Sequence, residues 1–138
     1  MRLFPFALLS LAAAGLAACQ SAPQADVSNA GAIVELRDYS VKPSVPSVAA
    51  GTVKIGVRNL AGMTHDLVVL KTDIAQDKLQ VDGPSAKAKE EGRVGSTDAI
   101  GAGQVRALTL DLNPGNYVLI CNIAGHYQLG MHVAFKVD

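Results

Sequence analysis

The chain has 138 residues, with 12 basic and 12 acidic side chains, three histidines, two cysteines and no tryptophan. Without the 18-residue leader read below, 120 residues remain, enough for one domain with its own core and too few for two. Arg2 leaves with that leader, so the rest is near neutral with no basic stripe or lysine cluster, which excludes nucleic acid as a partner.

Arg2 is followed by an uncharged apolar run from Leu3 to Ala18, ending in Leu16-Ala17-Ala18-Cys19. A bilayer span needs about 20 apolar residues. The run therefore predicts a secretory signal peptide over 1–18 rather than a transmembrane helix. Its end resembles a bacterial lipobox, in which the cysteine sulfur takes a diacylglycerol and becomes part of the first residue after cleavage. That resemblance implies lipidation at Cys19 and a membrane anchor on the periplasmic side of the cell envelope. Gln20, where aspartate is absent, implies the outer membrane in a Gram-negative cell. An ordinary signal peptide with a chance cysteine is the plainer alternative. Residues 20–31 are small and polar without apolar period, as in a flexible tether, which leaves 32–138 for the domain.

From there apolar residues alternate with period two, as in strands half-buried in an antiparallel sheet. Val34 and Leu36 share a face, as do Val53, Ile55 and Val57, and later Leu108, Leu110 and Leu112. Turn residues separate them at Pro43, Pro46, Ala50-Gly51, Gly101-Ala102-Gly103 and Asn113-Pro114-Gly115-Asn116. The stretch from Lys71 to Asp98 breaks the rhythm. It is rich in charge and glycine, and reads as a solvated insertion with a helical turn or two over Ala86–Glu91. Many short strands in so few residues predict an all-β fold, a Greek-key β-sandwich or barrel.

With Cys19 lipidated, Cys121 is a lone thiol in an exported chain, where thiols tend to be paired or oxidised, and a metal explains it. His65 is in phase with Leu67 and Val69, Cys121 with Tyr117 and Leu119, and Met131 with Val133, Phe135 and Val137. All three are expected to point inward. His65 and Met131 begin strands whereas Cys121 ends one, so antiparallel pairing brings them to one pole. The connecting loop adds His126, giving Cys-x4-His-x4-Met with a histidine far upstream. A thiolate and two imidazoles suit copper, zinc or iron, but a thioether favours copper, and two His, one Cys and a long axial Met make the blue-copper electron-transfer site. His132 lies on the opposite face from Met131 and is expected at the surface. Met63, His65, Met131 and His132 form the basis of a rival reading, Cu(I) carriage or sequestration. A Cys121–His126 nucleophilic dyad lacks an orienting third group, and structural zinc lacks a fourth good ligand. No enzyme is expected.

At Cys121-Asn122-Ile123-Ala124-Gly125-His126-Tyr127-Gln128-Leu129-Gly130-Met131, with Asn59, His65 and the turn Leu112–Tyr117, the chain resembles the cupredoxin family, particularly members of the rusticyanin, sulfocyanin and auracyanin kind. The resemblance implies one copper ion held by His65, His126 and the Cys121 thiolate, with Met131 axial. It also implies that His126 is the electron port. An apolar docking patch for a redox protein would then surround it, from Leu60, Ala61, Gly62, Ile123, Ala124, Tyr127 and Leu129. A monomer is expected. Many relatives carry asparagine after the first histidine ligand; this chain has Asp66, so an amide donor between the two ligand loops is lost.

Overall fold

The computed structural model describes residues 23–138; the signal peptide, Cys19 and the first tether residues lie outside them. In chain order the strands are β1 (Ala32–Arg37), β2 (Ser40–Pro43), β3 (Ser47–Val48), β4 (Gly51–Asn59), β5 (Val68–Lys71), β6 (Val81–Asp82), β7 (Lys87–Ala88), β8 (Arg93–Ser96), β9 (Val105–Leu112), β10 (Gly115–Ile120) and β11 (His132–Val137). No helix occurs among the described residues. One sheet runs β2-β1-β4-β9 and the other β3-β11-β10-β5-β8, with β6 and β7 forming a small ribbon. The chain passes between the sheets from β2 to β3, back from β3 to β4, across again from β4 to β5, back from β8 to β9 and once more from β9 to β10, so two sheets enclose one core, as the all-β Greek-key reading expects.

Period-two patterning sets the inner faces. Ala32, Val34 and Leu36 on β1 face inward beside Val53, Ile55 and Val57 on β4, and the parallel register pairs Ala32 with Ile55 and Val34 with Val57. From the opposite sheet come Leu67, Val69, Tyr117, Leu119, Phe135 and Val137. The Tyr117 hydroxyl donates to the Asn113 carbonyl at 2.8 Å and so fixes the β9–β10 turn. On the outside of the first sheet, Gly56 gives room to the segment preceding β1. A Cβ there would lie 2.7 Å from the Cβ of Val27, and Ala25 N–H donates to Val105 O at 3.3 Å. The described end of the stretch read as a tether thus lies along this sheet.

The 71–98 stretch departs from its expected form. Ala86 takes φ 52°, Lys87–Ala88 pairs with Val81–Asp82, and Arg93–Ser96 is the edge strand beside β5. Six helix-favouring residues are too few to nucleate a helix alone, and packing decides instead. Leu79, Val81 and Ala88 cover Val68, Leu70, Val118, Ile120 and Tyr127, a second apolar cluster on the outer face of the sheet. Strands β5 and β10 are consequently buried on both faces.

Candidate metal centre

Residues at one pole of the sandwich continue the strand registers past their ends. Ile120 pairs with His132, and the next step sets Cys121 opposite Met131, with Cys121 N–H donating to Met131 O at 3.0 Å. Directly opposed residues project to one face about 5 Å apart, so both sulfur side chains enter the core, each fully buried. His65 stands just before β5 and pairs across with Ile100, by N–H to O contacts of 3.1 and 2.7 Å. Asn59, at the end of β4, shapes the loop that delivers it. The Asn59 carboxamide donates to Met63 O and Ile100 O, both at 2.8 Å, and accepts from Ala61 N–H at 2.9 Å. His126 sits mid-loop, its N–H donating to Ile123 O at 2.9 Å and its carbonyl accepting from Met131 N–H at 3.1 Å.

These constraints bring three donor atoms together. His65 Nδ1 and His126 Nδ1 are 3.2 Å apart, and Cys121 Sγ lies 3.6 Å from the first and 3.5 Å from the second. The point equidistant from all three is about 2.0 Å from each, against typical metal distances of roughly 2.0–2.1 Å to imidazole and ~2.3 Å to thiolate. Met131 supplies a thioether beside that triangle. Burial, then the neighbouring His126, holds the His65 imidazole below its ordinary pKa, and burial pushes the Cys121 thiol up to about 12. A proton added to the His65 imidazole is therefore disfavoured in this pocket, whereas a cation shared by the two imidazoles and the thiolate would satisfy all three groups and displace the thiol proton.

The sulfocyanin (SoxE) domain model matches residues 40–138. The chain belongs to this family of cupredoxins. Its backbone is similar to the auracyanin of the photosynthetic bacterium Roseiflexus castenholzii (19% identity, TM-score 0.59, covering 77% of this chain and 94% of that one). It is also similar to an azurin of Methylomonas sp. strain J (17%, TM-score 0.56, 80% and 99%) and to rusticyanin of Thiobacillus ferrooxidans (16%, TM-score 0.51, 78% and 75%). At such identities these likenesses bear on the fold. A search of curated proteins found no significant match.

The cofactor of the cupredoxin is copper, and His65, Cys121, His126 and Met131 are the residues that would hold it. Bound there, copper supplies a one-electron couple. Asp66 keeps the two ligand loops joined despite being an acid: its Oδ1 accepts from Asn122 N–H at 2.6 Å, and its own N–H points to Cys121 Sγ at 3.4 Å. The carboxylate thus restores the tie with donor and acceptor exchanged. It also opposes thiolate formation, while the amides of Asp66 and Ile123 favour it. A thiol so buried, with its pKa raised, is the opposite of an activated nucleophile.

Other sequence expectations need correction. His132 does lie opposite Met131, but it is half-buried against the Tyr127 ring (centroids 5.2 Å apart) with Nδ1 enclosed and unpartnered, because the 72–92 excursion roofs that face. Of the rival Cu(I) set, His65 and Met131 are fully buried at the core pole, whereas His132 projects to the opposite face of β11, beside Tyr127, so the four do not converge on one point. In the expected docking patch, Leu60 and Leu129 are exposed at 47% and 57%, whereas Ala61 and Tyr127 are buried. Tyr39, which the sequence reading passed over, joins it. In the β1–β2 turn at φ 58°, this tyrosine sets its ring edge-on to His126, centroids 6.0 Å apart. Nothing in Asp38-Tyr39 signals that proximity, since it depends on how one sheet overhangs the other.

Proposed function

We propose that this cupredoxin carries single electrons between redox proteins in the bacterial cell envelope, with copper ligated by His65, His126 and Cys121 and with Met131 as axial ligand. The observation that carries the reading is the triangle of two imidazole nitrogens and one sulfur, of a size to take one ion at bonding distance from each. Both sulfur ligands hang from a paired ladder, so the site resists rearrangement when an electron arrives, which favours fast transfer. His126 is the half-buried ligand; Tyr39, edge-on to it, and Leu129, in its own loop, are exposed apolar surface, as are Leu60 and Met63 in the loop before His65. A redox partner docks there. The lipid at Cys19 tethers the domain to a membrane, the outer one in a Gram-negative cell.

The test is Cu(II) added one to one to the purified chain, followed by absorption and paramagnetic resonance. An intense visible thiolate-to-copper band is expected and should vanish in Cys121→Ser. A colourless product, or a Cys121→Ser protein as strongly coloured as its parent, would count against electron transfer and in favour of copper carriage. Replacing Cys19 by alanine and following incorporation of labelled fatty acid checks the anchor separately.

A further inference from the structure

Whereas Cys121 and Met131 are placed by the β10–β11 ladder, His126 lies five residues from either, in a loop the ladder does not reach. That loop has a second support. Six hydrogen bonds join it to the 72–92 excursion, and every one falls on Asn122, next to Cys121, or on the residues flanking His126. The Asn122 carboxamide accepts from Ala88 N–H at 2.8 Å and donates to Ala88 O at 3.0 Å, the two bonds a neighbouring strand would make. It also donates to a Glu90 carboxylate oxygen at 2.8 Å. Gly125 N–H donates to Ala86 O at 2.7 Å. The Tyr127 hydroxyl donates to Gln76 O and accepts from Leu79 N–H, both at 2.9 Å.

Burial makes these bonds count. Asn122 is 3% exposed and Tyr127 4%, and a buried donor or acceptor that loses its partner costs far more than a solvated one. The Tyr127 ring also packs with Val68, Leu70, Leu79, Val118 and Ile120, so the excursion grips the loop through both apolar area and polar pairing. By contrast, the loop's own bonds are short-range turns, such as Leu129 N–H to Gly125 O at 3.2 Å.

We propose that the 72–92 excursion is a clamp that holds the Asn122–Gly130 loop in its metal-binding shape with or without copper, making Asn122 and Tyr127 positioning residues for the His126 imidazole. The ordering of the loop is then a consequence of folding, and metal binding does not have to supply it. The proposal rests on the copper reading only for what the loop is shaped to do; the shape itself is open to measurement without metal.

The experiment is amide hydrogen exchange on the metal-free full chain, residue by residue, for the parent, Tyr127→Phe and Asn122→Asp. Tyr127→Phe keeps the ring and removes the bridging hydroxyl. Asn122→Asp keeps the size and the Oδ1 acceptor, but loses both donors and turns a carboxylate toward Glu90. Tyr117→Phe is the control, deleting a hydroxyl bond at the far end of β10. Slow exchange is expected at Gly125, Leu129 and Gly130 in the parent. Acceleration on the order of tenfold is expected in Tyr127→Phe, the effect of leaving the Leu79 amide without its acceptor, with the Ile55 amide of β4 unchanged. Copper release to excess chelator should quicken by a similar factor. Tyr117→Phe should leave the ratio of loop to core exchange as it was. Loop amides exchanging in the metal-free parent at the rate of an unstructured peptide, or within about twofold of the parent in both loop variants, would overturn the clamp. Failure to load copper would count against the ligand assignment instead, with amide exchange still deciding the clamp.

Discussion

Asn59→Ala tests how the loop before His65 is held. The side chain is fully buried and makes three hydrogen bonds, to Met63 O, Ile100 O and Ala61 N–H. After truncation Ile100 O still accepts from His65 N–H, and Met63, on an exposed stretch, can recruit water. Ala61 is buried, so its amide bears most of the penalty. At about 1–3 kcal/mol for a buried unmet group, and less for one that finds water, the expected loss is about 3 kcal/mol. That is a large fraction of the ~5–15 kcal/mol that stabilises a domain, and corresponds to a melting point lower by roughly 10 °C. The assay is urea unfolding of the metal-free protein followed by circular dichroism, since the chain has no tryptophan. Asn59→Asp sharpens the argument: it keeps size and acceptor but sets a carboxylate against two carbonyl oxygens, so at neutral pH it should be no more stable than alanine. Burial and those oxygens would raise the folded pKa of that aspartate above the unfolded one. The folded state then holds the proton more tightly, and the defect should lessen as pH falls through the raised value. A loss under about 1 kcal/mol for Asn59→Ala, or an aspartate variant as stable as the parent at pH 7, would refute the reasoning.

Met131→Gln should retain copper and colour but lower the reduction potential, because an oxygen donor at the axial position favours Cu(II) over Cu(I) more than a thioether does; voltammetry checks this. Gly92→Ala should destabilise the fold by about 3 kcal/mol, since φ +77° is strained for alanine and its Cβ would fall 2.2 Å from Lys71 O. Because β8 is the outermost strand, thermal melting should drop while the copper band stays. In the metal-free protein, His65 has a folded pKa lowered from 6.5 by burial and by His126. Its unfolded form therefore takes up the proton first, so stability should be complete above pH ~6.5 and decline as pH falls below it, in contrast to a His65→Gln variant measured across the same range.

The alternation of Val34, Leu36, Val53, Ile55 and Val57 made the sandwich readable, because one face of each strand meets a core and the other meets solvent. The candidate ligands were readable for a related reason: His65, Cys121 and Met131 continue the inward phase of strands whose faces are plain. The role of the 72–92 excursion was not. Its apolar residues are few and scattered among charges, those that pack being Leu79, Val81 and Ala88 while Ile74 stays exposed, and its target is the outer face of a different pair of strands. A signal was nevertheless present. Val68-Val69-Leu70 and Tyr117-Val118-Leu119-Ile120 are continuous apolar runs, and such runs need cover on both faces. His132 was misjudged on the same account, since a residue on the outer face is exposed only where nothing roofs it. Tyr39 had no local signal at all.

The four candidate ligands are placed by different kinds of constraint, and each kind fails in its own way. Cys121 and Met131 inherit their spacing from the ladder, where Ile120 pairs with His132 and the next step pairs the two sulfurs. Disturbing that spacing means disturbing the second sheet. His65 depends on the bridge to Ile100 and on the Asn59 carboxamide, which reach it from the first sheet and its loops. It therefore reports how the two sheets sit on each other. His126 depends on a loop whose inner side is the site and whose outer side is Asn122, Gly125 and Tyr127 bonded to the excursion. An extra residue between His126 and Met131 would leave the sulfur pair in register and displace the imidazole alone. The half-buried ligand nearest the apolar surface is thus also the one whose position can change without unfolding the sheets, and the excursion is the part of the fold that restrains it.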